Sequence, residues 1–155
     1  MTLVLKGVRS TLISHHPQQH HKLFLKLGEE NPAFQGVCEE MTIFTEVMDG
    51  KVRMRNDRPF LLISSTSWTK DEDFGILLEA LDEYNRAACD TTNMLPKVFC
   101  VITGKGPLKE YYMRIIQSKN FSCVTVCTIW LSAEDYPVLL GKSLLRMFLQ
   151  SLGHQ

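Results

Sequence analysis

A glycine-containing loop, Thr103 to Leu108, is the segment of this sequence best suited to bind an anion. It follows the apolar run 98–102, which has the length and β-branched content of a buried strand. It precedes a segment with helical spacing that starts behind a proline. A strand, a loop and a helix in this order leave backbone N–H groups free to face a phosphate, and Gly104 and Gly106 would let that ligand approach the main chain closely. The loop therefore predicts half of a nucleotide-binding α/β domain.

A second polar loop, residues 66–70, follows another apolar run at 60–65. Ser67 and Thr69 could hydrogen-bond a diphosphate, but capping the next helix is an equal alternative, with Thr69 or Asp71 as the cap. Lys105 in the glycine loop could pair with the same phosphates, although lysines in loops are usually only solvated. We treat Ser67, Thr69 and Lys105 as candidate ligand residues.

The third apolar run, 124–130, ends at Trp130 and is followed by a short helix for which Ser132 is the predicted cap. Trp130 could stack on a base, but a tryptophan at a strand end more often belongs to the core. Glu134 and Asp135 resemble a catalytic pair only at first sight. In the first turn of a helix, they are interpreted as surface charges that compensate the helix dipole.

The alternation of strands and helices predicts an α/β fold with a parallel sheet covered on both faces. The loops at the carboxyl ends of the strands should then share one edge. We divide the chain into a weakly structured extension or linker with one short helix (1–57), a partial nucleotide-binding domain (58–141) and an amphipathic tail (142–155). The tail is expected to form a helix over 142–150. With three predicted strands, one edge of the sheet should be open to a partner.

Charge and hydropathy exclude several classes of protein. Lysine plus arginine and aspartate plus glutamate each number 17, so the formal net charge is zero and no basic field for nucleic acid exists. No apolar stretch reaches the roughly 18–20 residues of a membrane span, and the amino terminus does not resemble a secretory signal. A soluble or peripherally attached protein in a cytosol-like compartment is expected.

Metal binding is not favoured. The five cysteines contain no C-x-x-C pair, and we interpret them as reduced, mostly buried thiols. Four histidines near the amino terminus could bind a metal: His15, His16, His20 and His21. The proline and glutamines between the two pairs favour a solvated loop instead. No metal site and no cofactor are predicted.

The chain resembles the chitobiosyldiphosphodolichol β-mannosyltransferase family, and its short members most of all. The resemblance runs from about residue 19 to residue 141 and is strongest after residue 58. A glycine loop alone is common among nucleotide-sugar transferases, whereas the joint pattern is specific. It consists of SSTSWT at 64–69, DEDF at 71–74, VITGKGPLKEYY at 101–112, WL at 130–131 and EDYP at 134–137.

The resemblance implies a Rossmann-like sheet from the carboxyl-terminal domain of a two-Rossmann-domain (GT-B) glycosyltransferase. That domain binds GDP-mannose, and the family transfers mannose, without a metal, to dolichol-diphosphate-linked chitobiose at the cytosolic face of the endoplasmic reticulum. By this resemblance the donor would contact Ser67, Thr69, Gly104, Lys105 and Gly106.

The sequence does not match the family's acceptor-binding domain, its membrane anchor or the segment that follows residue 141. No catalytic residue is therefore assigned, and we expect no mannose transfer by this chain alone. Transfer would require a related glycosyltransferase subunit to supply the acceptor site. Two alternatives stay open, a non-catalytic interaction module and a product without function.

Overall fold

The computed structural model describes residues 17–141 and, for the backbone, 145–148. No helix in these ranges is both long enough and apolar enough to cross a membrane. The helices are α1 (Pro17–Glu30), α2 (Phe74–Cys89), α3 (Lys109–Ser118) and α4 (Asp135–Leu140), with a 3₁₀ turn at Pro32–Phe34. The strands are β1 (Thr45–Met48), β2 (Lys51–Met54), β3 (Phe60–Ser65), β4 (Val98–Thr103), β5 (Val124–Ile129) and β6 (Leu145–Phe148).

Four parallel strands form the central sheet in the order β5-β4-β3-β6. The chain builds outward from β3 through β4 to β5 and then returns to the other side of β3. This is the doubly wound, Rossmann-like order, in which ligands bind outside the carboxyl ends of the strands where the winding reverses. The predicted α/β class with a parallel sheet is confirmed, and the reversal lies between β3 and β6.

The expected helix over 142–150 is wrong at residues 145–148, which form β6. This strand pairs in parallel with β3, from Leu62 opposite Leu145 to Ser65 opposite Phe148. Without β6, that side of β3 would present unpaired N–H and C=O groups. A short apolar run does not by itself distinguish a strand from a helix. Here residues 145–148 form a strand because they pair with the otherwise unpaired edge of β3. The sheet therefore has four strands in the described part of the chain.

Helices α2 and α3 cover one face of the sheet. Their apolar side chains pack with the residues of β3 and β4 that point to this side. The cluster is centred on Leu62, Phe74, Leu77, Cys100 and Ile102, all buried. Both helices lie on this face because two right-handed crossovers that move in the same direction place their helices on the same side.

The other face is covered by residues that precede the first central strand, together with α4. Four phenylalanine rings pack against one another in this layer, with Phe24 and Phe44 4.8 Å apart and Phe34 and Phe99 4.9 Å apart between ring centroids. The expectation that residues 1–57 are a weakly structured linker is therefore wrong for residues 17–57. Amphipathic α1 and the turn after it are a layer of the domain, because an apolar sheet face must be buried.

The histidines of α1 belong to this packing. His20 lies 3.0 Å from the carbonyl of Val138 through Nε2, and Nδ1 of His21 lies 2.8 Å from the hydroxyl of Thr45. Both rings are buried, and burial lowers the pKa of His21. The expected solvated histidine loop is wrong for this pair, while His15 and His16 lie outside the described residues.

We predict that α1 contributes to stability as a core element. Leu23 is 4% exposed and Leu25, two residues along the same helix, is 37% exposed. Leu23→Ala should lower the free energy of unfolding by about 3 kcal/mol through lost burial and a cavity, and Leu25→Ala by less than about 1 kcal/mol. Urea unfolding of both variants measures the difference. Equal, small effects would show that α1 is not part of the core.

Candidate functional site

The two loops predicted to bind a ligand lie directly against each other at the carboxyl edge of the sheet. A Cβ atom at Gly104 would stand 1.8 Å from the carbonyl oxygen of Thr66, and one at Gly106 would stand 1.7 Å from that of Ser67. Gly104 also has a φ of 126°, a conformation that side chains disfavour. The missing side chains thus make room for the chain's own backbone. At these two positions, the group that approaches the glycines closely is the chain's own backbone.

Backbone hydrogen bonds hold the loops in this position. The Thr66 N–H donates to the carbonyl of Thr103 at 3.0 Å, and the Leu108 N–H donates to the carbonyl of Trp68 at 3.0 Å. Helix α3 begins at Lys109, one residue later than predicted. Because a carbonyl of the neighbouring loop takes the Leu108 N–H, the chain itself uses part of the anion-binding capacity expected at this helix start.

Glu72 organises the first loop from inside. Its Oε2 accepts the Thr66 hydroxyl at 2.5 Å and the Ser67 N–H at 2.8 Å, and the Thr66 hydroxyl accepts the Trp68 N–H at 3.0 Å. Burial acts to raise the pKa of Glu72, but these hydrogen bonds to its carboxylate outweigh burial and lower the pKa. The Glu72 side chain is therefore ionised, and its carboxylate stabilises the conformation of the loop at Thr66 and Ser67.

Ser67 and Thr69 are left with their hydroxyls beside each other, 3.3 Å apart, and Ser67 is exposed. The cap of α2 is Asp73, whose carboxylate accepts the Gly75 N–H at 3.0 Å. The prediction that Thr69 or Asp71 caps this helix is therefore wrong. Thr69 therefore does not cap α2. The hydroxyls of Ser67 and Thr69 lie together on the loop that follows β3.

Lys105 and Trp130 meet at the same edge. The Lys105 Nζ lies 4.1 Å from the centre of the Trp130 ring, in a cation–π contact. Trp130 is 65% exposed, so the expectation that it belongs to the core is wrong. Lys105 takes part in none of the salt bridges between described residues. An exposed aromatic ring and a cation without a carboxylate partner among the described residues thus lie together at this edge.

The carboxylates after β5 have a structural role. Asp135 pairs with Lys26 of α1 at 2.6 Å, and this hydrogen bond lowers the pKa of Asp135. The Ser132 hydroxyl accepts the Asp135 N–H at 3.1 Å, but the residue at the cap position of α4 is Glu134, which makes no side-chain cap bond. Glu134 is exposed. Asp135 therefore joins α4 to α1 through its ion pair with Lys26.

Trp68 is the residue of this site that the sequence did not reveal. It is only 1% exposed, has a φ of 52°, and packs against Phe74 with ring centroids 4.6 Å apart. Its backbone carbonyl meanwhile joins the two loops. A left-handed conformation at a tryptophan has no sequence signature, and the hydrogen bonds of Glu72 to Thr66 and Ser67 join residues that are not adjacent in sequence.

The packing of the glycines predicts large costs for added side chains. Gly106→Ala should lower the free energy of unfolding by roughly 3 kcal/mol, because its Cβ must displace a backbone carbonyl. Gly50 in the β1–β2 turn is the control, since its φ is 71° and nothing lies within 4 Å of its Cβ position. Gly50→Ala should cost about 1 kcal/mol from backbone conformation alone. Urea unfolding that ranks the two variants the other way would contradict this packing.

The lowered pKa of Glu72 predicts a pH-dependent contribution to stability. A carboxylate with a depressed folded-state pKa stabilises above its unfolded pKa of about 4.3, and the contribution is lost as pH falls through the folded value. Glu72→Gln should therefore be less stable than the wild type at pH 7, with the gap closing toward pH 3. Urea unfolding at both pH values measures the gap. Glu83→Gln, at an exposed position of α2, is the matched control, and a Glu72→Gln gap of unchanged size at pH 3 would contradict the prediction.

Comparison with known proteins shows which sequences this chain is similar to. The chain is 50% identical over 131 residues to human chitobiosyldiphosphodolichol β-mannosyltransferase, a match that covers 79% of this chain and 28% of the human protein. It is 41% identical over 130 residues to the human protein ALG1L2, covering 79% of this chain and 54% of that one. The UDP-glycosyltransferase TURAN of Arabidopsis thaliana is 33% identical over 169 residues, covering 88% and 36%.

No family model and no solved structure matches the chain. The relatives are much longer, and the chain spans little more than a quarter of the human enzyme that it matches. Within the matched region, half of the positions are identical to that enzyme. By sequence, this chain belongs to the chitobiosyldiphosphodolichol β-mannosyltransferase family.

Proposed function

We propose that this chain is the donor-binding part of a mannosyltransferase and that it binds the nucleoside diphosphate of GDP-mannose at the carboxyl edge of its sheet. The observation that carries the proposal is the direct contact between the loop of Ser67 and Thr69 and the loop of Gly104, Lys105 and Gly106. All five candidate residues lie together there. The edge is also where a doubly wound sheet binds ligands.

Each group at this edge has a chemistry suited to part of the donor. The hydroxyls of Ser67 and Thr69 can donate to phosphate oxygens. Lys105 supplies a positive charge without a carboxylate partner among the described residues. The exposed face of Trp130 can stack on a base. Gly104 and Gly106 act indirectly, because they let the two loops approach each other.

We propose that the chain binds the donor without transferring mannose by itself. Glu72 is engaged by Thr66 and Ser67, Asp73 caps α2, and Asp135 pairs with Lys26. A general base must lie within hydrogen-bond reach of the acceptor hydroxyl, and these three carboxylates already have structural partners. A partner glycosyltransferase subunit at the cytosolic face of the endoplasmic reticulum would supply the acceptor site for dolichol-diphosphate-linked chitobiose.

We predict that GDP raises the thermal unfolding temperature, since a ligand that binds only the folded state stabilises it. Lys105→Ala should weaken binding about tenfold, the loss expected for one charge-assisted contact to phosphate. Lys97→Ala is the matched control, because Lys97 is an exposed lysine that precedes β4 whereas Lys105 follows it. Titration calorimetry with GDP and with UDP measures affinity and base preference.

Two outcomes would contradict the proposal. Absence of any shift with excess GDP or UDP, in a protein that unfolds cooperatively, would favour the interaction module instead. Equal weakening by Lys105→Ala and Lys97→Ala would remove the site from this edge. Mannose transfer from GDP-mannose to a chitobiosyl-lipid acceptor by the purified chain would overturn the proposal of binding without transfer.

A further inference from the structure

Two thiols meet at the edge of the sheet opposite to the proposed nucleotide site. Cys89 is the last residue of α2, and Cys123 immediately precedes β5. Their Sγ atoms lie 3.3 Å apart, although the residues are 34 positions apart in sequence. Both are free thiols, and Cys89 is exposed. Reagents in solution can therefore reach a pair that is already in contact.

Asn85 holds the two thiols together. It lies four residues before Cys89, on the same face of α2. Its Oδ1 accepts the N–H of Ser122 at 3.1 Å and that of Cys123 at 2.8 Å. The side-chain amide thus fixes the start of β5 against the end of α2. The backbone that carries Cys123 is thereby held next to the helix end that carries Cys89.

The surroundings give the two thiols different reactivity. Hydrogen bonds with the Ser122 hydroxyl, 2.9 Å from the Cys89 sulfur, and with Cys123 lower the pKa of Cys89. The hydrogen bond to Cys89 raises the pKa of Cys123. Cys89 is also the more exposed of the two thiols, so a disulfide in solution reaches Cys89 before the half-buried Cys123.

The remaining cysteines supply a contrast. Cys100 and Cys127 are buried in opposite layers of the core, and burial raises the pKa of each to about 12. Cys38 is exposed but has no second thiol beside it among the described residues. Cys100 and Cys127 therefore differ from the Cys89–Cys123 pair by being buried, and Cys38 differs by having no neighbouring thiol among the described residues.

We propose that Cys89 and Cys123 form a reversible redox site that is oxidised to a disulfide by low-molecular-weight disulfides such as glutathione disulfide. The Cys89 thiolate attacks one sulfur of glutathione disulfide and releases one glutathione thiolate. Cys123 gives its proton to solvent and attacks the Cys89 sulfur of this mixed disulfide, which releases the second glutathione. The protein loses two hydrogens, and glutathione disulfide is reduced to two thiols.

The cross-link would close a loop that contains β4, the glycine loop and α3. A disulfide that closes a loop of this length restricts the unfolded chain and should raise the thermal unfolding temperature by roughly 10 °C. Intracellular disulfides are commonly transient and serve redox sensing. Oxidation would thus stabilise the folded state of the domain that carries Lys105.

The test exposes the folded full chain to glutathione disulfide, blocks remaining thiols with N-ethylmaleimide, and maps the peptides by mass spectrometry. We expect one peptide pair joined through Cys89 and Cys123, and its loss on reduction with dithiothreitol. In Cys123→Ser, Cys89 should retain glutathione as a stable mixed disulfide. Asn85→Ala should slow closure of the disulfide while leaving formation of the mixed disulfide at Cys89 unchanged.

Cys38→Ser is the matched control and should not affect the cross-link. The proposal is overturned if Cys38 acquires glutathione while Cys89 and Cys123 are both recovered as alkylated thiols. It is also overturned if the joined peptides form only in urea. Thermal unfolding of every variant under reducing conditions verifies that the folded state is being compared.

Discussion

Both faces of the central sheet are apolar, and this constraint explains the arrangement of the other described elements. Strands β3 and β4 alternate apolar side chains between the two layers, with Leu61 and Ile63 on one side and Leu62 on the other. Helices α2 and α3 can cover only one side, because their crossovers share a direction and a hand. The second face would remain in water without α1, the phenylalanine side chains that follow it and α4. The amino-terminal segment therefore belongs to the same cooperative unit as the strands.

The same frame produces the close contact between the two loops. Parallel register brings Ser65 opposite Thr103, so that the segments after β3 and β4 leave the sheet at one level. Two backbones at this separation leave no room for Cβ atoms at Gly104 and Gly106. The glycines are thus required by the packing of one loop against the other, and the proposed binding chemistry would come from side chains on the outer surface, Lys105 and Ser67 among them. A glycine loop is a sign of close approach, but the approaching group here is the chain itself.

The features that the sequence predicted correctly are those set by local periodicity. Continuous apolar runs identified β3, β4 and β5, and helical spacing identified α2. The errors arose where a distant part of the chain decides the outcome. Residues 145–148 form a strand because β3 offers an open edge, and α1 is buried because a sheet face needs a cover. Trp130 is exposed because Leu131, the next residue, takes the buried position.

The candidate site was predicted as a set of residues but not as an arrangement. Spacing placed Ser67, Thr69 and Lys105 at strand ends, and a parallel sheet brings strand ends together. It could not show that Asp73 would cap α2, since several polar residues precede that helix. Nor could it show that Glu72 would turn inward, because its partners become neighbours only once the loop has formed.

The Cys89–Cys123 pair and the proposed nucleotide site lie at opposite ends of the strands, and this separation has a physical consequence. Cys123 stands before β5 and Trp130 after it, so the length of a six-residue strand divides the thiol pair from the proposed nucleotide edge. Chemistry at the thiols can reach the other edge only through the rigidity of β4, β5 and the helix between them. A disulfide formed in the native geometry acts mainly on the unfolded chain, where it removes conformational freedom. Redox state would therefore alter the free energy of unfolding of the domain more than the affinity of its folded form for a nucleotide.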